Sequence, residues 1–179
     1  IQLLVLDPQS GFFNNTNAGR NRIFGFELET TARPTDALTL YGNVGFLDNK
    51  YTRLDPRANL PQGAQLPVTP RWTVGAGGAY EVGLGTAGTL TPRVDYTYRS
   101  EVFYNAPNAP LEREPGFGLL NLRLTWQDES RRYSIAAFAL NATDVRYFSN
   151  RSDVRSGLGV AFGQVGPPRE FGVELATRF

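Results

Sequence analysis

The chain alternates. Over much of its length apolar side chains fall at every second position, the period of a β-strand with one apolar and one polar face. The clearest stretch is 89–102, where Leu90, Val94, Tyr96 and Tyr98 point one way and Thr91, Arg93, Asp95, Thr97 and Arg99 the other. In 22–32, Phe24, Phe26 and Leu28 oppose Gly25, Glu27 and Glu29; in 38–47, Leu38, Leu40, Val44 and Phe46 share a face. The stretch 71–82 sets Trp72, Val74, Tyr80 and Val82 against Thr73, Gly75, Gly77 and Glu81, and 117–127 sets Leu120, Leu122, Leu124 and Trp126 against Asn121, Arg123, Thr125 and Gln127. The last ten residues read E-F-G-V-E-L-A-T-R-F, with Phe171, Val173, Leu175 and Phe179 on one side, Thr177 the single polar intruder. The stretch 132–141 is apolar on both faces, and its outward side does not follow from the pattern. With a short apolar segment at 1–6, read as the end of a strand, about eight strands are predicted. Some ten residues at a steep tilt is the length that crosses a bilayer as a β-strand.

The connections sort by length. Short turns at 33–36, 83–88 and 128–131 alternate with long Pro-, Gly- and Asn-rich segments at 7–21, 50–67, 104–115 and 143–168. Short turns at one rim and long loops at the other are the layout of a membrane-spanning strand meander; a Greek-key sandwich would not sort its loops so regularly. Prolines keep to loops and strand starts, as ladder hydrogen bonding demands, with Pro92 the exception near the start of its strand. The fold class predicted is all-β, a transmembrane antiparallel up-and-down β-barrel. A soluble lipocalin-like barrel would alternate equally well with its apolar side inside. Against it, the polar faces carry both signs of charge among Gly, Asn and Thr, as a wet lumen would. Aromatics mark both rims: Trp72 towards the long loops, Tyr80, Trp126 and Phe179 towards the short turns. Strands in lipid must also have every backbone group paired, which closure into a barrel achieves.

Composition narrows the chemistry. A net charge of +1 over 179 residues gives no field for nucleic acid. There is no Cys and no His, which removes thiolate metal sites, imidazole zinc sites and Ser–His or Cys–His catalysis. No enzyme activity and no cofactor are expected. The longest unbroken apolar run, 135–140, is far too short for a transmembrane helix. A mean hydropathy of −0.31 does not count against a barrel, half of whose strand positions face a polar lumen. The opening I-Q-L-L-V-L has no basic leader or cleavage site. The expectation is a piece of a longer product.

Several segments resemble one family. The chain's closing strand, ending on Phe179, resembles the C-terminal signature of bacterial outer-membrane barrels, so Phe171, Val173, Leu175 and Phe179 are expected to act as the outer-membrane assembly signal. N-A-G-R-N-R-I-F-G-F-E-L-E (17–29) is similar to a loop-to-strand segment of TonB-dependent outer-membrane receptors. L-T-L-Y-G-N-V-G-F-L-D-N-K-Y (38–51), L-P-V-T-P-R-W (66–72) and A-L-N-A-T-D-V-R-Y-F (139–148) resemble segments that follow in that family, the last with Ala142 where Leu is usual. The resemblance implies a barrel of about twenty-two strands preceded by a plug domain that engages the TonB complex. Residues 1–179 would be the C-terminal segment of that barrel, the plug lying outside it. The implied partners are outer-membrane lipid, the remaining barrel strands, the plug and through it TonB, and a scarce solute, a ferric siderophore first. The location implied is the bacterial outer membrane.

Ligand contacts in such a receptor are expected from loops and lumen wall. The loop candidates are Tyr51, Arg53, Arg57, Tyr104, Arg113, Arg151 and Arg155, with Phe12, Phe13, Arg20 and Phe148 beside them. An Arg suits an anionic chelate and an aromatic ring can stack on it. The lumen charges Glu27, Glu29, Glu81, Arg93, Asp95, Arg99, Arg123, Glu174 and Arg178 are expected to pair across strands or with a plug. Asp144 and Asp153 match no cation-loop spacing. A second reading is a self-closing eight-stranded barrel with a structural or adhesive role.

Overall fold

A computed structural model describes residues 2–6, 13–17, 19–54 and 60–178; side chains are described from residue 19 onward, Ser156 excepted. Its long strands are β3 (Gly19–Ala32), β4 (Leu38–Leu54), β5 (Trp72–Tyr80), β7 (Thr89–Arg99), β10 (Phe117–Gln127), β11 (Tyr133–Leu140) and β14 (Glu170–Thr177). They form one antiparallel sheet in the order β14-β11-β10-β7-β5-β4-β3, each strand beside its predecessor in the meander. The sheet is eight-stranded because β6 (Val82–Gly83) continues the line of β5 against β7. The predicted first member is elsewhere: β1 (Gln2–Leu6) pairs with β2 (Phe13–Asn17) in a separate hairpin, inside what the sequence suggested was loop. Phe12, Arg57 and Phe179 lie outside the described residues.

The break between β5 and β6 has a local cause. Ala79 pairs with Arg93 and Val82 with Leu90, so Tyr80 stands opposite Pro92. Pro92 has no N–H to give, and the ladder is interrupted there. The gap falls near the short-turn rim, where water can serve the orphaned carbonyl. Trp126 closes the same rim: its Nε1 donates to the Ala87 carbonyl at 2.8 Å.

Antiparallel partners share a side of the sheet, so register assigns the faces. One row runs Ala32–Leu40–Gly78–Val94–Leu122–Ala139–Phe171. The row on the other face runs Thr31–Tyr41–Gly77–Asp95–Asn121. The ambiguous strand β11 is thereby resolved: Ile135, Ala137 and Ala139 join Trp126, Leu124 and Leu122 on the apolar side, and Ala136 and Phe138 join Thr125 and Arg123 on the polar side. Phe138 is accommodated by Gly172, where a Cβ would sit 2.2 Å from the ring. On the outer face Phe26, Phe46 and Trp72 make an aromatic cluster towards the long loops, with Phe46 and Trp72 ring centroids 4.6 Å apart.

The distribution of burial is inverted relative to a water-soluble domain. Among the described residues the buried apolar side chains are only Ala64, Val102 and Ala136, while most of the outward Phe, Leu, Val, Ile and Tyr are exposed. Phe171, Val173 and Leu175 on β14 are 75, 69 and 73 % exposed. Each large side chain of this kind gains about 1.5–3 kcal/mol when removed from water, and here the bilayer supplies the apolar environment.

Candidate solute-binding site

The polar face is built by residues that reach across glycines. A Cβ at Gly77 would lie 2.6 Å from the Tyr41 ring, so the bare backbone of β5 lets Tyr41 lie flat across it. The Tyr41 hydroxyl thereby donates to Asp95 Oδ1 on β7. Arg93 grips the same carboxylate with Nε and Nη2, both at 2.8 Å, and its guanidinium stands 5.3 Å from the Tyr41 ring centroid. Further along, Arg123 on β10 pairs with Glu174 on β14 at 3.0 Å. Arg123–Glu174 is the cross-strand pairing expected of lumen charges; Arg93–Asp95 is made instead along one strand.

Towards the long loops this face opens into a cavity of about 480 Å³ lined by Asn43, Thr97, Arg99, Phe117, Tyr147 and Ser149, among others. Phe117 and Tyr147 stack with centroids 4.3 Å apart, and the Arg99 guanidinium lies over the Phe117 ring, 4.6 Å from its centroid. Arg99 Nη2 donates to the Tyr104 hydroxyl at 3.1 Å, and that hydroxyl donates to the Phe148 carbonyl. Among the described residues, Arg99 is the one charged residue in the lining.

The roof comes from loops with structure of their own. Segment 104–115 contains a 3₁₀ turn, Pro110–Glu112, and β9 (Arg113–Glu114), which pairs with β8 (Val102–Phe103). Segment 143–168 contains the hairpin β12 (Phe148–Asp153) and β13 (Ala161–Val165), with a single helical turn α1 (Arg155–Leu158) at its tip. Two glutamates clasp them together. Glu112 and Glu114 are each only 4 % exposed. Glu112 Oε1 accepts the Asp153 N–H at 2.7 Å, and Glu114 Oε1 accepts the Phe148 N–H at 3.1 Å. Glu114 Oε2 also forms an ion pair with Arg151 Nη2 at 2.9 Å, and neither it nor the buried Glu112 Oε2 has a hydrogen-bond partner among the described residues. Burial, with the nearby Asp153 charge adding to it, pushes the Glu112 carboxyl above its usual range against the backbone hydrogen bond that lowers it. Hydrogen bonds from the Arg155 guanidinium and backbone hold Asp153 below the usual range.

The predicted loop residues do not converge as a set. Tyr104 and Phe148 meet beside the cavity. Arg151 faces Glu114 and lies over the Phe148 ring at 4.0 Å. Arg113 is tied to Glu101 and Arg155 to Asp153, both on exposed surface. Arg53 stands exposed opposite Arg20 on the β3–β4 hairpin, and Tyr51 is half-buried there. Asp144 lies 3.9 Å from Arg146 and accepts the Arg169 N–H. Sequence reasoning missed Tyr147, Phe117, Glu112 and Glu114, and took Arg99 for a paired lumen charge. The Arg99 signal was available, since strict alternation turns it inward at the end of β7; the two glutamates stand in an ordinary L-E-R-E run.

A family model described as TonB dependent receptor-like, beta-barrel, matches residues 1–160. Solved structures similar to this chain include the ferric yersiniabactin uptake receptor FyuA from Yersinia pestis, with a TM-score of 0.79 and 23 % identity over 93 % of this chain and 25 % of that one. BauA, the ferric preacinetobactin receptor from Acinetobacter baumannii, matches with a TM-score of 0.70 and 21 % identity over 97 % of this chain and 25 % of its own. The copper transporter OprC matches with a TM-score of 0.70 and 17 % identity over 99 % of this chain and 26 % of its own. The chain spans about a quarter of the length of these structures.

Proposed function

The chain belongs to the TonB-dependent receptor β-barrel family, transporters of the bacterial outer membrane rather than enzymes, and on that premise we propose that it forms the C-terminal part of the wall of a receptor for a ferric siderophore. In this reading β3 and β14 pair with barrel strands from elsewhere in the receptor. The ladder order, which runs from β14 to β3 with no pairing between those two among the described residues, favours this over a self-closing small barrel. Phe171, Val173 and Leu175 form the outward row of the closing strand and, with Phe179, act as the assembly signal. TonB is engaged through a plug outside these residues.

The observation that carries the solute assignment is the cavity at the long-loop rim, where aromatic faces and one cation line a polar wall. A chelated ferric ion brings its own ligands and needs only such outer contacts. A bare copper ion would need soft or imidazole ligands, and this chain has no His, Cys or Met. FyuA and BauA, both ferric-chelate receptors by name, support the same choice. The test is deletion of the gene that encodes this chain, with growth and iron-55 uptake followed under iron limitation across a panel of ferric siderophores. Loss of uptake of at least one complex is expected. Unchanged uptake of every ferric complex, with loss of another solute, would overturn the siderophore assignment.

A further inference from the structure

We infer that the basic cluster at the long-loop rim of the outward face, Arg22, Lys50 and Arg71, is a binding site for the phosphate of a negatively charged membrane lipid. The inference concerns the lipid side of the wall and holds whichever solute the receptor carries.

The register brings the cluster together. Phe26, Phe46 and Trp72 share one outward row. Two residues nearer the loops Phe24 stands opposite Asp48, and two further on Arg22 stands opposite Lys50. The β3–β4 ladder has no bulge from Asn21 to Ala32, so these side chains all face outward. Arg71 joins them at the foot of β5. Its Nη2 lies 3.6 Å from Asp48 Oδ1, and its guanidinium 5.4 Å from the Phe46 ring centroid. Lys50 Nζ lies 3.2 Å from the other carboxylate oxygen of Asp48. One carboxylate thus stands between two cations, whose side chains are 65 and 60 % exposed. The direct opposition of Arg22 and Lys50 is an unfavourable pairing of like charges. An anion seated between them turns that repulsion into attraction. Both β4 and β5 already have a strand on either side. Further barrel strands therefore join beside β3 and β14, and this outward face is left to the bilayer.

Height and chemistry select a lipid as the source of the anion. Phe24, Phe26 and Trp72 are exposed rings beneath the cations, where an aromatic girdle meets the membrane interface. Lys50 is four residues above Phe46, about 13 Å along the strand and about 10 Å in height at a tilt of about 40°. The headgroup layer on each side of a bilayer is about 5–7 Å thick. Long cationic side chains bend back to it along apolar surface, as Arg71 does over Phe46. A phosphate at that level meets guanidinium and ammonium groups from β3, β4 and the start of β5, while its acyl chains run down over Phe26 and Trp72. A free anion would gain the charges without the apolar contact.

The test uses the full-length receptor in a non-ionic detergent and native mass spectrometry to count bound lipids. The probes are dioleoylphosphatidylglycerol and dioleoylphosphatidylcholine, which share acyl chains and differ in net charge. The wild type should hold at least one phosphatidylglycerol at least tenfold more tightly than phosphatidylcholine. A cation beside a charged lipid surface is worth about a fivefold change in affinity. Lys50→Gln should therefore weaken the site about fivefold, and Lys50→Gln with Arg71→Gln about thirtyfold, with one lipid lost from the tightest class. Arg33→Gln, in the turn between β3 and β4 at the opposite rim, should lose none. Heat-modifiable gel mobility reports whether each variant folds. Equal affinity of the wild type for the two lipids would overturn the inference. An unchanged count in the folded double variant would overturn it too, because the preference would then lie elsewhere on the receptor. Displacement of the lipid by excess inorganic phosphate would overturn the choice of a lipid and show a site for soluble anions instead.

Discussion

Glu114→Ala tests the clasp that roofs the cavity. The Glu114 side chain is 5 % exposed and serves two partners, the Phe148 N–H at 3.1 Å and Arg151 at 2.9 Å. Truncation leaves the N–H without its acceptor, a loss of about 1–3 kcal/mol when the group stays dry. It also strips Arg151 of its counter-charge. A fully buried pair broken this way costs about 3–5 kcal/mol, but Arg151 is 27 % exposed and can turn to water, so about 1 kcal/mol is the fairer figure. The sum, about 2–4 kcal/mol, falls on docking of the β12–β13 hairpin rather than on the barrel wall. Local opening should become roughly 30- to 900-fold more frequent. Hydrogen exchange on the full-length receptor reads this directly: the Phe148 and Asp153 amides should accelerate by such a factor, and those of β10 should not change. Glu114→Gln keeps a carbonyl acceptor and should give a smaller effect. Exchange at Phe148 within threefold of wild type would refute the clasp. An equal acceleration across β10 would show that the glutamate supports the whole sheet instead.

Four further outcomes follow from the same geometry. Glu112 carries a raised pKa in the docked state, so its contribution is fully present below its ordinary value of 4.5 and is lost as pH rises through the raised one; hairpin protection, corrected for intrinsic exchange, should fall as pH rises above 4.5, and Glu112→Gln should flatten that slope. The groups that face it are Asp153 and, through Asp153, Arg155, neither of which should titrate in that window. Leu122→Arg places a charge on the lipid side and should destabilise insertion by about 2–4 kcal/mol in urea titrations from vesicles, whereas Thr125→Arg should cost far less; equal effects would mean the faces are misassigned. Gly77→Ala drives a methyl into the Tyr41 ring and should cost about 1–3 kcal/mol, a loss that prior Tyr41→Ala should largely abolish in a double-mutant cycle. In intact cells a cysteine at Leu158 should react with an impermeant reagent and one at Thr86 should not.

Period-two alternation carried most of the wall. It located β3, β5, β7, β10 and β14 within a few residues, because one face of each must be apolar along its whole membrane depth. It was silent on β11, where Ala136 and Phe138 face the lumen side: small and aromatic residues are tolerated there when Gly172 makes room, so composition does not mark the side. It stopped β4 at Leu47, whereas the ladder runs to Leu54, since above the bilayer nothing requires an apolar face. The loop residues were chosen for charge and exposure, and that criterion mostly selected cations with nearby carboxylates, as in Arg113–Glu101 and Arg155–Asp153. Arg99 lacks such a partner among the described residues, as Arg53 does, and what holds the roof is Glu112 reaching Asp153 across 41 residues of chain. Neither fact has a local signature.

The long β3–β4 hairpin has a mechanical consequence. The β4–β5 ladder ends at Phe46 and Trp72, but β3 and β4 stay paired up to Gly19 and Leu54. Leu47, Asp48 and Asn49 are still tied to Arg71 and Leu66, so the upper five positions of β4 stand as a two-stranded ribbon, about 16 Å long at 3.3 Å per residue. At a tilt of about 40° the ribbon rises roughly 13 Å above Asn49. Such a ribbon in water is marginally stable by itself, so it behaves as a compliant post beside a stiff wall. Under the proposed receptor reading, a solute touching Arg53 would gain attraction early but would have to immobilise the post to keep it. Contacts there would then accelerate capture and do little for residence time, which would be set deeper, beside the stacked rings of Phe117 and Tyr147.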